Sequence, residues 1–184
     1  MKMTQFGSRS HLPLISAGQH LAICTAVVDV GTQSSTFAGQ PTFGRKLMFL
    51  FDVLDQVDPK SGKPLGLGHM FTASMHSRAR LRHEVENWIG VFADQGAAND
   101  FDLSELVGRQ CRLAIRHDNN GVRVRAVIGA ILPALAHVDT SAVANDPLYF
   151  SLDNPDMGAF DRLPARLRNM IEASPEWRAI VMAA

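Results

Sequence analysis

Apolar residues form three separate runs in the first half of the chain. The run from His20 to Val30 is apolar and β-branched, and the segments Lys46–Leu54 and His69–Ala73 are also typical of strands. Residues 58–64 contain Asp, Pro and Gly, which favour a tight turn between the second and third runs. The polar, glycine-rich residues 31–44 predict a long loop after the first run. We therefore expect three consecutive antiparallel strands.

The hydrophobic period then lengthens from two residues to about 3.6 residues, which is the period of a helix. Apolar residues recur three or four positions apart and predict an amphipathic helix with Ser77 as its N-cap. The apolar stripe consists of Leu81, Val85, Trp88, Ile89 and Phe92. Further along, Asp102 and Glu105 have the spacing of a capping box and predict a short second helix that Gly108 ends.

Two more strands are predicted after the helices. Residues 110–117 and residues 121–131 both alternate between apolar and basic or small side chains. The intervening residues 118–121, with the sequence Asp-Asn-Asn-Gly, favour a tight hairpin turn. The alternation places Cys111, Leu113 and Ile115 on the inward face of the fourth strand.

The order strand-strand-strand-helix-strand-strand is that of the oligonucleotide/oligosaccharide-binding barrel, the OB-fold. We predict a mainly β protein with minor α: a five-stranded OB-fold barrel with a helix between strands 3 and 4 and a C-terminal tail with short helices. The expected organisation is an N-terminal lead-in at residues 1–15, an OB-fold single-strand-binding domain at 16–134 and a C-terminal extension at 135–184. Within the extension, Pro164 and Pro175 favour the first turns of two short helices.

Composition narrows the class of protein. The chain has 184 residues, of which 18 are basic, 18 acidic and 46% hydrophobic, and this balance argues against a disordered protein. No apolar run approaches the roughly 20 residues of a membrane-spanning helix, and the N-terminus leads into no apolar signal core. Cys24 and Cys111 lack any paired spacing, which fits a reducing compartment. We expect a soluble cytoplasmic protein with no membrane partner.

Residues that could carry catalysis or bind a metal are sparse. His69, His76 and His83 recur every seven residues, whereas zinc-binding helices place two ligands three or four positions apart. We therefore favour partly exposed histidines over a metal site. Neither cysteine lies near a histidine in a nucleophile motif, and both are expected to be small core residues. We expect no enzyme activity, no cofactor and no metal.

Several aromatic residues are candidates for stacking on nucleic-acid bases. They are Phe43 in the predicted loop, Phe49 and Phe51 on the second strand, and Phe71 on the third. Phe49 and Phe51 share one strand face with apolar neighbours, so core packing is the alternative interpretation for both. Phe43 has no periodic apolar neighbours, which favours exposure of its ring.

Basic residues are concentrated around the last two strands, where residues 109–125 contain five arginines and a single acid, Asp118. We expect four of them on the outer side of the hairpin, where cations can neutralise phosphates: Arg112, Arg116, Arg123 and Arg125. Further cationic candidates are Arg45 and Lys46 at the start of the second strand and Lys60 and Lys63 in the following turn. The alternative is an ordinary mixed surface, since patches of this size are common.

A set of short segments, in their order and spacing, resembles the small phage and prophage replication proteins that are similar to OB-fold single-stranded DNA-binding proteins. The segments are Ala17–His20, Val28–Gln33, Phe71–Ser74, Leu81–Trp88, Phe101–Leu103, Leu106–Cys111, Phe150–Pro155, Leu163–Pro164 and Ser174–Trp177. The resemblance implies binding and protection of single strands during replication or recombination of a mobile element, without catalysis. One departure is Ile89, which follows Trp88 where the family usually carries an arginine.

The first hypothesis is a non-enzymatic single-stranded DNA-binding protein of a phage or mobile element, in the cytoplasm of a bacterial host cell. Single-stranded DNA is then the main partner, and a dimer of this chain and replication or recombination proteins are further expected partners. The alternative is an OB-like module for protein interaction or assembly in a replication or virion complex, without nucleic-acid binding. In that case the apolar residues of the tail are expected to dock on a partner: Leu167, Met170, Ile171 and Trp177.

Overall fold

The computed structural model describes residues 13–138 and 145–183, and strands make up the largest part of it. The strands are β1 (Gly18–Phe37), β2 (Gln40–Val57), β3 (Pro64–Thr72), β4 (Gln110–Asn119), β5 (Val124–Pro133) and β6 (Leu148–Phe150). The predicted mainly β class is therefore confirmed. Residues 1–12 of the predicted lead-in and residues 139–144 and 184 of the predicted extension lie outside the described residues.

The strands form one sheet in the order β3-β2-β1-β4-β5, and each neighbouring pair on this path is antiparallel. β6 pairs with β1 in parallel, with Leu148 opposite Ala26. β3 and β5 are the two ends of the path. In the described residues they contact each other without strand pairing, so the sheet is open along this boundary.

The end of β1 and the start of β2 extend beyond the rest of the sheet as a two-stranded arm, residues 33–44. In the described chain, residues 33–37 pair only with residues 40–44, around a turn in which Ala38 and Gly39 have positive φ. The prediction of a long loop over residues 31–44 is therefore wrong. The arm is held by backbone pairing and contains mainly polar and small residues, so it lacks the apolar alternation by which strands are predicted.

Five helices occur in the described chain: α1 (Arg80–Ile89), α2 (Gln95–Asn99), α3 (Met157–Arg162), α4 (Ala165–Glu172) and α5 (Pro175–Ala183). α1 is the predicted amphipathic helix, but its N-cap is Ala79 instead of Ser77, and Phe92 follows its end. The predicted capping box begins a 3₁₀ turn, in which the Asp102 carboxylate accepts a hydrogen bond from the N–H of Ser104 at 2.8 Å.

The first core lies between the inner face of the sheet and α1. On β4, Cys111 and Leu113 are buried as predicted. The other strands and α1 contribute large side chains to the same core, among them Phe49, Phe51, Phe71, Leu81 and Trp88. The Trp88 indole N–H also donates to the carbonyl of Gln110 at 2.8 Å, so the helix is fixed to the start of β4.

α1 also covers the free edge of β5. The buried Glu84 carboxylate accepts a hydrogen bond from the N–H of Ile131 at 2.8 Å, and Arg80 donates to the carbonyl of Ile128 at 3.3 Å. These side chains take the hydrogen-bonding positions that a further strand would occupy. An edge covered in this way is protected from pairing with another chain.

A second core lies on the outer face of β1, where the C-terminal extension packs. Ala26, Val28 and Val30 point into it from β1. The extension contributes Leu148, Phe150, Leu152, Ala159, Phe160, Leu163, Leu167 and Ile171. β1 is therefore buried on both faces, which explains its apolar run without alternation. The predicted C-terminal tail with short helices is thus packed on the sheet as a layer of its own.

A β-bulge at Asp29–Gly31 fits β1 to the extension. Gly31 has φ +70°, and a Cβ atom built on it would lie 2.5 Å from the Cβ of Ser174. The next residue, Thr32, donates hydrogen bonds from its N–H and its hydroxyl to the Glu176 carboxylate, at 2.9 and 2.6 Å. Backbone shape and side-chain hydrogen bonds thus hold the start of α5 against β1.

Candidate nucleic-acid interface

Three of the four predicted stacking residues lie inside the first core. Phe49, Phe51 and Phe71 are at most 2% exposed, and the centroid of the Phe49 ring is 6.4 and 5.2 Å from those of the other two. A base cannot reach these rings without opening the core. We therefore remove all three from the candidate interface. Core packing, the alternative interpretation for Phe49 and Phe51, is the arrangement that the structure has.

Phe43 lies on the arm and is 74% exposed. Its register partner is Ser34, three pairs away from the turn at the end of the arm. A ring presented by a paired strand offers a flat surface to a base, and each base–aromatic stack contributes about 1–3 kcal/mol. Phe43 is thus the predicted stacking residue whose position agrees with that role.

Arg45 is engaged by two carboxylates. Its Nε lies 2.9 Å from Oδ2 of Asp29, and its Nη2 lies 2.8 Å from Oδ1 of Asp153. The hydrogen bond to Asp29 is the main reason that the pKa of Arg45 lies above its usual value. Asp29 is buried on β1 and Asp153 belongs to the extension, so Arg45 joins the extension to the sheet. This role replaces the predicted contact of Arg45 with phosphate.

The three lysine candidates lie in two separate places. Within β2, just after the arm, the Lys46 ammonium donates to Oγ1 of Thr72 on β3 at 2.8 Å. Lys60 and Lys63 are exposed in the turn after its end, where the Asp58 carboxylate accepts a hydrogen bond from the N–H of Lys60. The stretch of β2 from Lys46 to Val57 lies between Lys46 and the two turn lysines. At about 3.3 Å per residue, this stretch is longer than one nucleotide, so Lys46 and the turn lysines cannot contact the same phosphate.

Two arginines of β4 point outward, as strand alternation predicts. Arg112 donates from Nη1 to Oε1 of Gln19 on β1 at 2.6 Å, and from Nε to the carbonyl of Pro133 at 3.1 Å. Arg116 is exposed. In residues 13–138 and 145–183, neither arginine forms an ion pair with an acid. Both positive charges are therefore available to a negatively charged ligand.

The arginines near the β4–β5 turn differ from each other. Arg125 pairs with Asp118 directly across the hairpin, with Nη2 and Oδ2 2.9 Å apart. Arg123 lies in the turn before β5, so strand parity does not place it on the same face as Arg125. The Arg123 side chain is exposed and has no acidic partner among the residues that the structure describes. The expectation that Arg123 lies with Arg125 on the outer side of the hairpin therefore stays a prediction.

The register separates the arm from the hairpin arginines. Gly18, at the start of β1, lies opposite Ile115 of β4, whereas Phe43 lies opposite Ser34 near the end of β1. The structure therefore brings together one part of the predicted set on the outward face of β4 and β5: Arg112, Arg116 and Arg125. Phe43 and Lys46 lie at the other end of the sheet.

A cleft of about 520 Å³ lies between the end of β3 and the start of α1. Its polar lining comes from His69, Thr72, Ser74, His76, Arg78 and Arg80. Sequence reasoning missed this group as a binding site, because the cleft forms only where the end of β3, paired with β2 at Thr72 and Lys46, meets the start of α1. The available signal was a basic or imidazole side chain at the alternate positions 76, 78 and 80.

Neither cysteine is placed for nucleophilic chemistry. Cys24 and Cys111 are fully buried in the first core. Burial raises the pKa of the Cys24 thiol to about 12 and also raises the pKa of the Cys111 thiol. Within the described part of the chain, no three His, Cys, Asp or Glu side chains come together in a way that could hold a metal ion.

The apolar residues of the extension are used within the chain. Leu167 and Ile171 are buried in the second core, and Met170 and Trp177 pack against it. The Trp177 ring stacks on Phe160, with centroids 4.6 Å apart. These four tail residues are the ones that the assembly hypothesis expects to dock on a partner, so that hypothesis loses its predicted surface.

Comparison with protein-family models finds no family that matches this chain, and comparison with curated proteins finds no matching sequence. Among the helices of residues 13–138 and 145–183, none is long and apolar enough to cross a membrane. The function is therefore inferred from geometry, charge and the resemblance of short segments.

Proposed function

We propose that the protein is a non-enzymatic single-stranded DNA-binding protein built on a partly open OB-type barrel. The strand order β3-β2-β1-β4-β5, with α1 between β3 and β4, is the order that this fold requires. α1 supports closure of the barrel, because Arg80 and Glu84 reach the free edge of β5 and α1 also contacts β3. In this proposal α1 completes the boundary between β3 and β5 that strand pairing leaves open.

The observation that carries the proposal is the basic outward face of β4 and β5. Arg112 and Arg116 have no acidic partner in the described chain. Arg125 has an exposed ion pair with Asp118, a kind of contact that is worth only about 0–1 kcal/mol and that a phosphate can replace. A binder of single strands without sequence preference needs such a basic track together with exposed rings.

The resemblance to phage and prophage replication proteins supports the biological setting of the proposal. In that setting the protein coats and protects single strands during replication or recombination of a mobile element in the cytoplasm of a bacterial host. Self-association as a dimer and contact with replication or recombination proteins belong to the same proposal. This setting is supported by the resembling segments and not by the geometry of the arginines.

Fluorescence anisotropy of a labelled oligo-dT tests the proposal. The full chain is titrated at several salt concentrations, beside a duplex of equal length. We expect tight binding to the single strand, weaker binding to the duplex, and an affinity that falls steeply with salt because cations on the strand are released. Absence of binding to the single strand at low salt would contradict the proposal and favour the assembly module.

The double variant Arg116→Ala/Arg123→Ala tests whether the β4–β5 hairpin contacts the single strand. Arg116 lies on the outward face of β4, and Arg123 lies in the turn before β5. Both side chains are exposed, so the variant is expected to fold. The slope of log affinity against log salt should fall by about 0.7 for each phosphate that the variant no longer neutralises. The matched control is Arg166→Ala/Arg178→Ala, which removes the same charge from exposed positions on α4 and α5. Equal slopes for the two variants would remove the β4–β5 hairpin from the interface.

A further inference from the structure

We infer that the cleft between the end of β3 and the start of α1 binds phosphate groups of the single strand, between the arm and the hairpin arginines. This inference rests on the proposed function and assigns a second, separate part of the DNA path. It concerns residues that lie outside the set predicted from the sequence. Arg78 is the residue whose side chain is most directly available for the contact.

The chemistry of the cleft suits an anion. Thr72, Ser74 and His76 supply hydrogen-bonding groups, and Arg78 and Arg80 supply positive charge. No acidic side chain contributes to its described lining. Arg80 is partly engaged, by the carbonyl of Ile128 and by Glu84 at 3.6 Å, whereas Arg78 is exposed. The volume of about 520 Å³ is large enough for a phosphate with its sugar.

His69 reports the electrostatic character of the cleft. Burial is the main reason that the pKa of His69 falls to about 4, and the positive charge of Arg80 lowers it further. The imidazole is therefore neutral at pH 7 and can only contribute a hydrogen bond. Arg80 disfavours a positive charge at this position, and the same field favours the negative charge of a phosphate.

The position of the cleft gives it a role in the DNA path. Lys46 lies at its rim through the contact with Thr72, and the N–H of Ala73 donates to the carbonyl of Arg45, so the cleft adjoins the strand that carries Phe43. On the other side, Arg80 reaches Ile128 of β5, the strand that carries Arg125 near its start. The cleft thus lies between an exposed ring and the β4–β5 arginines, two groups that the sheet register separates.

The variant Arg78→Ala tests the inference in the same anisotropy titration. We expect weaker binding to oligo-dT and a salt slope that is about 0.7 lower than that of the unmodified protein, because the variant neutralises one phosphate fewer. Arg166→Ala is the matched control with an unchanged slope. Both residues are exposed, so both variants are expected to fold. Circular dichroism and the unfolding midpoint of each variant check this expectation.

The outcomes separate the inference from the proposed function. If the protein binds oligo-dT and Arg78→Ala behaves like Arg166→Ala while Arg116→Ala/Arg123→Ala weakens binding, the inference is overturned and the function stands. If the protein does not bind oligo-dT, the function fails, and a titration with inorganic tripolyphosphate followed by ¹H–¹⁵N NMR decides on the cleft alone. Shifts confined to the amides of residues 69–80 would support an anion site, and their absence would overturn it.

Discussion

Two polar side chains on β1, the buried Asp29 and the half-buried Gln33, join the sheet to the C-terminal extension. The Asp29 carboxylate accepts hydrogen bonds from the N–H groups of Gly31 and Leu152, at 3.0 and 3.2 Å, and from Arg45. Gln33 donates to the carbonyls of Val30 and Met170, at 2.7 and 3.0 Å. Each of these side chains satisfies groups on both β1 and the extension, which is the condition for burying polar atoms without a large cost.

Gly31→Ala is expected to destabilise the protein more than a positive φ alone explains. A left-handed backbone costs about 1–2 kcal/mol for a non-glycine residue. At Gly31 the added Cβ also meets the fully buried side chain of Ser174. The Ser174 hydroxyl donates a hydrogen bond to the carbonyl of Ile171 at 2.7 Å, so this side chain is held in place. Gly62→Ala is the matched control, because Gly62 has φ +69° and nothing within 4 Å of the built Cβ. Urea denaturation measures the destabilisation of both variants, and equal values would refute the close approach of Ser174.

Glu84→Ala is expected to destabilise the protein by about 1–3 kcal/mol, since it leaves the N–H of Ile131 on the edge of β5 without a partner. Glu84→Gln keeps an oxygen acceptor and should destabilise the protein less. Thermal unfolding of the two variants, with Glu172→Ala at an exposed position as the control, measures the difference. A Gln variant as unstable as the Ala variant would show that the charge, and not the hydrogen bond to β5, stabilises this edge.

At the scale of elements, the docking of α5 on β1 depends on an ionised carboxylate. Burial opposes ionisation of Glu176, but the hydrogen bonds from Thr32 outweigh it, and the pKa of Glu176 lies below its usual value of 4.5. A carboxyl whose pKa is lower in the folded state stabilises that state above the usual pKa, and this stabilisation is lost as the pH falls through the lowered value.

The predicted consequence concerns Glu176→Gln. At pH 7 the variant should unfold at a lower urea concentration than the unmodified protein, because the Thr32 N–H and hydroxyl no longer have a charged acceptor. As the pH falls below 4.5, the two midpoints should converge, since the unmodified carboxyl becomes neutral as well. A difference in midpoint that stays constant down to about pH 3 would contradict the role of ionisation.

The elements whose periodicity reflects one buried face were predictable from the sequence. The alternation in β4 and the stripe of α1 gave the correct inward residues, including Leu113 and Trp88. The arm was missed because both of its sides are polar. The short strand β6 and the helix α2 were missed because a segment of three or five residues has too few positions for a period.

The candidate site was less predictable because alternation shows which residues share a face, but not what covers it. Phe49 and Phe51 share one face of β2, and only the packing of this face against α1 shows that it is inside. Arg45 is of a residue type that binds phosphate, yet its Nη2 lies 2.8 Å from Oδ1 of Asp153. Asp153 comes more than a hundred residues later in the chain. Contacts of this range leave no local pattern.

At the scale of the whole molecule, one sheet serves two cores. β1 contributes alternate residues to both, with Ala22, Cys24 and Val27 in the first and Val28 and Val30 in the second. The C-terminal extension is therefore a layer of the fold. Among residues 13–138 and 145–183, no such layer covers the outward face of β4 and β5, whereas the extension covers the outward face of β1. The available arginines therefore lie on one side of the sheet.

A fragment that ends at residue 134 is expected to lose the fold, although its sequence includes the whole predicted OB-fold domain. Removal of the extension exposes Ala26, Val28 and Val30 and takes away their partners. Burial of one large apolar side chain contributes about 1.5–3 kcal/mol, and the extension buries several, including Phe150, Phe160 and Ile171. The destabilisation is comparable with the net stability of about 5–15 kcal/mol of a typical domain.

Circular dichroism, urea denaturation and binding of a hydrophobic dye compare this fragment with the full chain. We expect dye binding, aggregation and no cooperative transition, because the outer face of β1 then meets water along its length. The alternative result is a fragment with a cooperative transition, an unchanged midpoint and unchanged oligo-dT binding. That result would make residues 16–134 an independent domain and the extension an accessory. We expect the opposite, because a layer packed on the central strand β1 cannot be removed without a loss of stability.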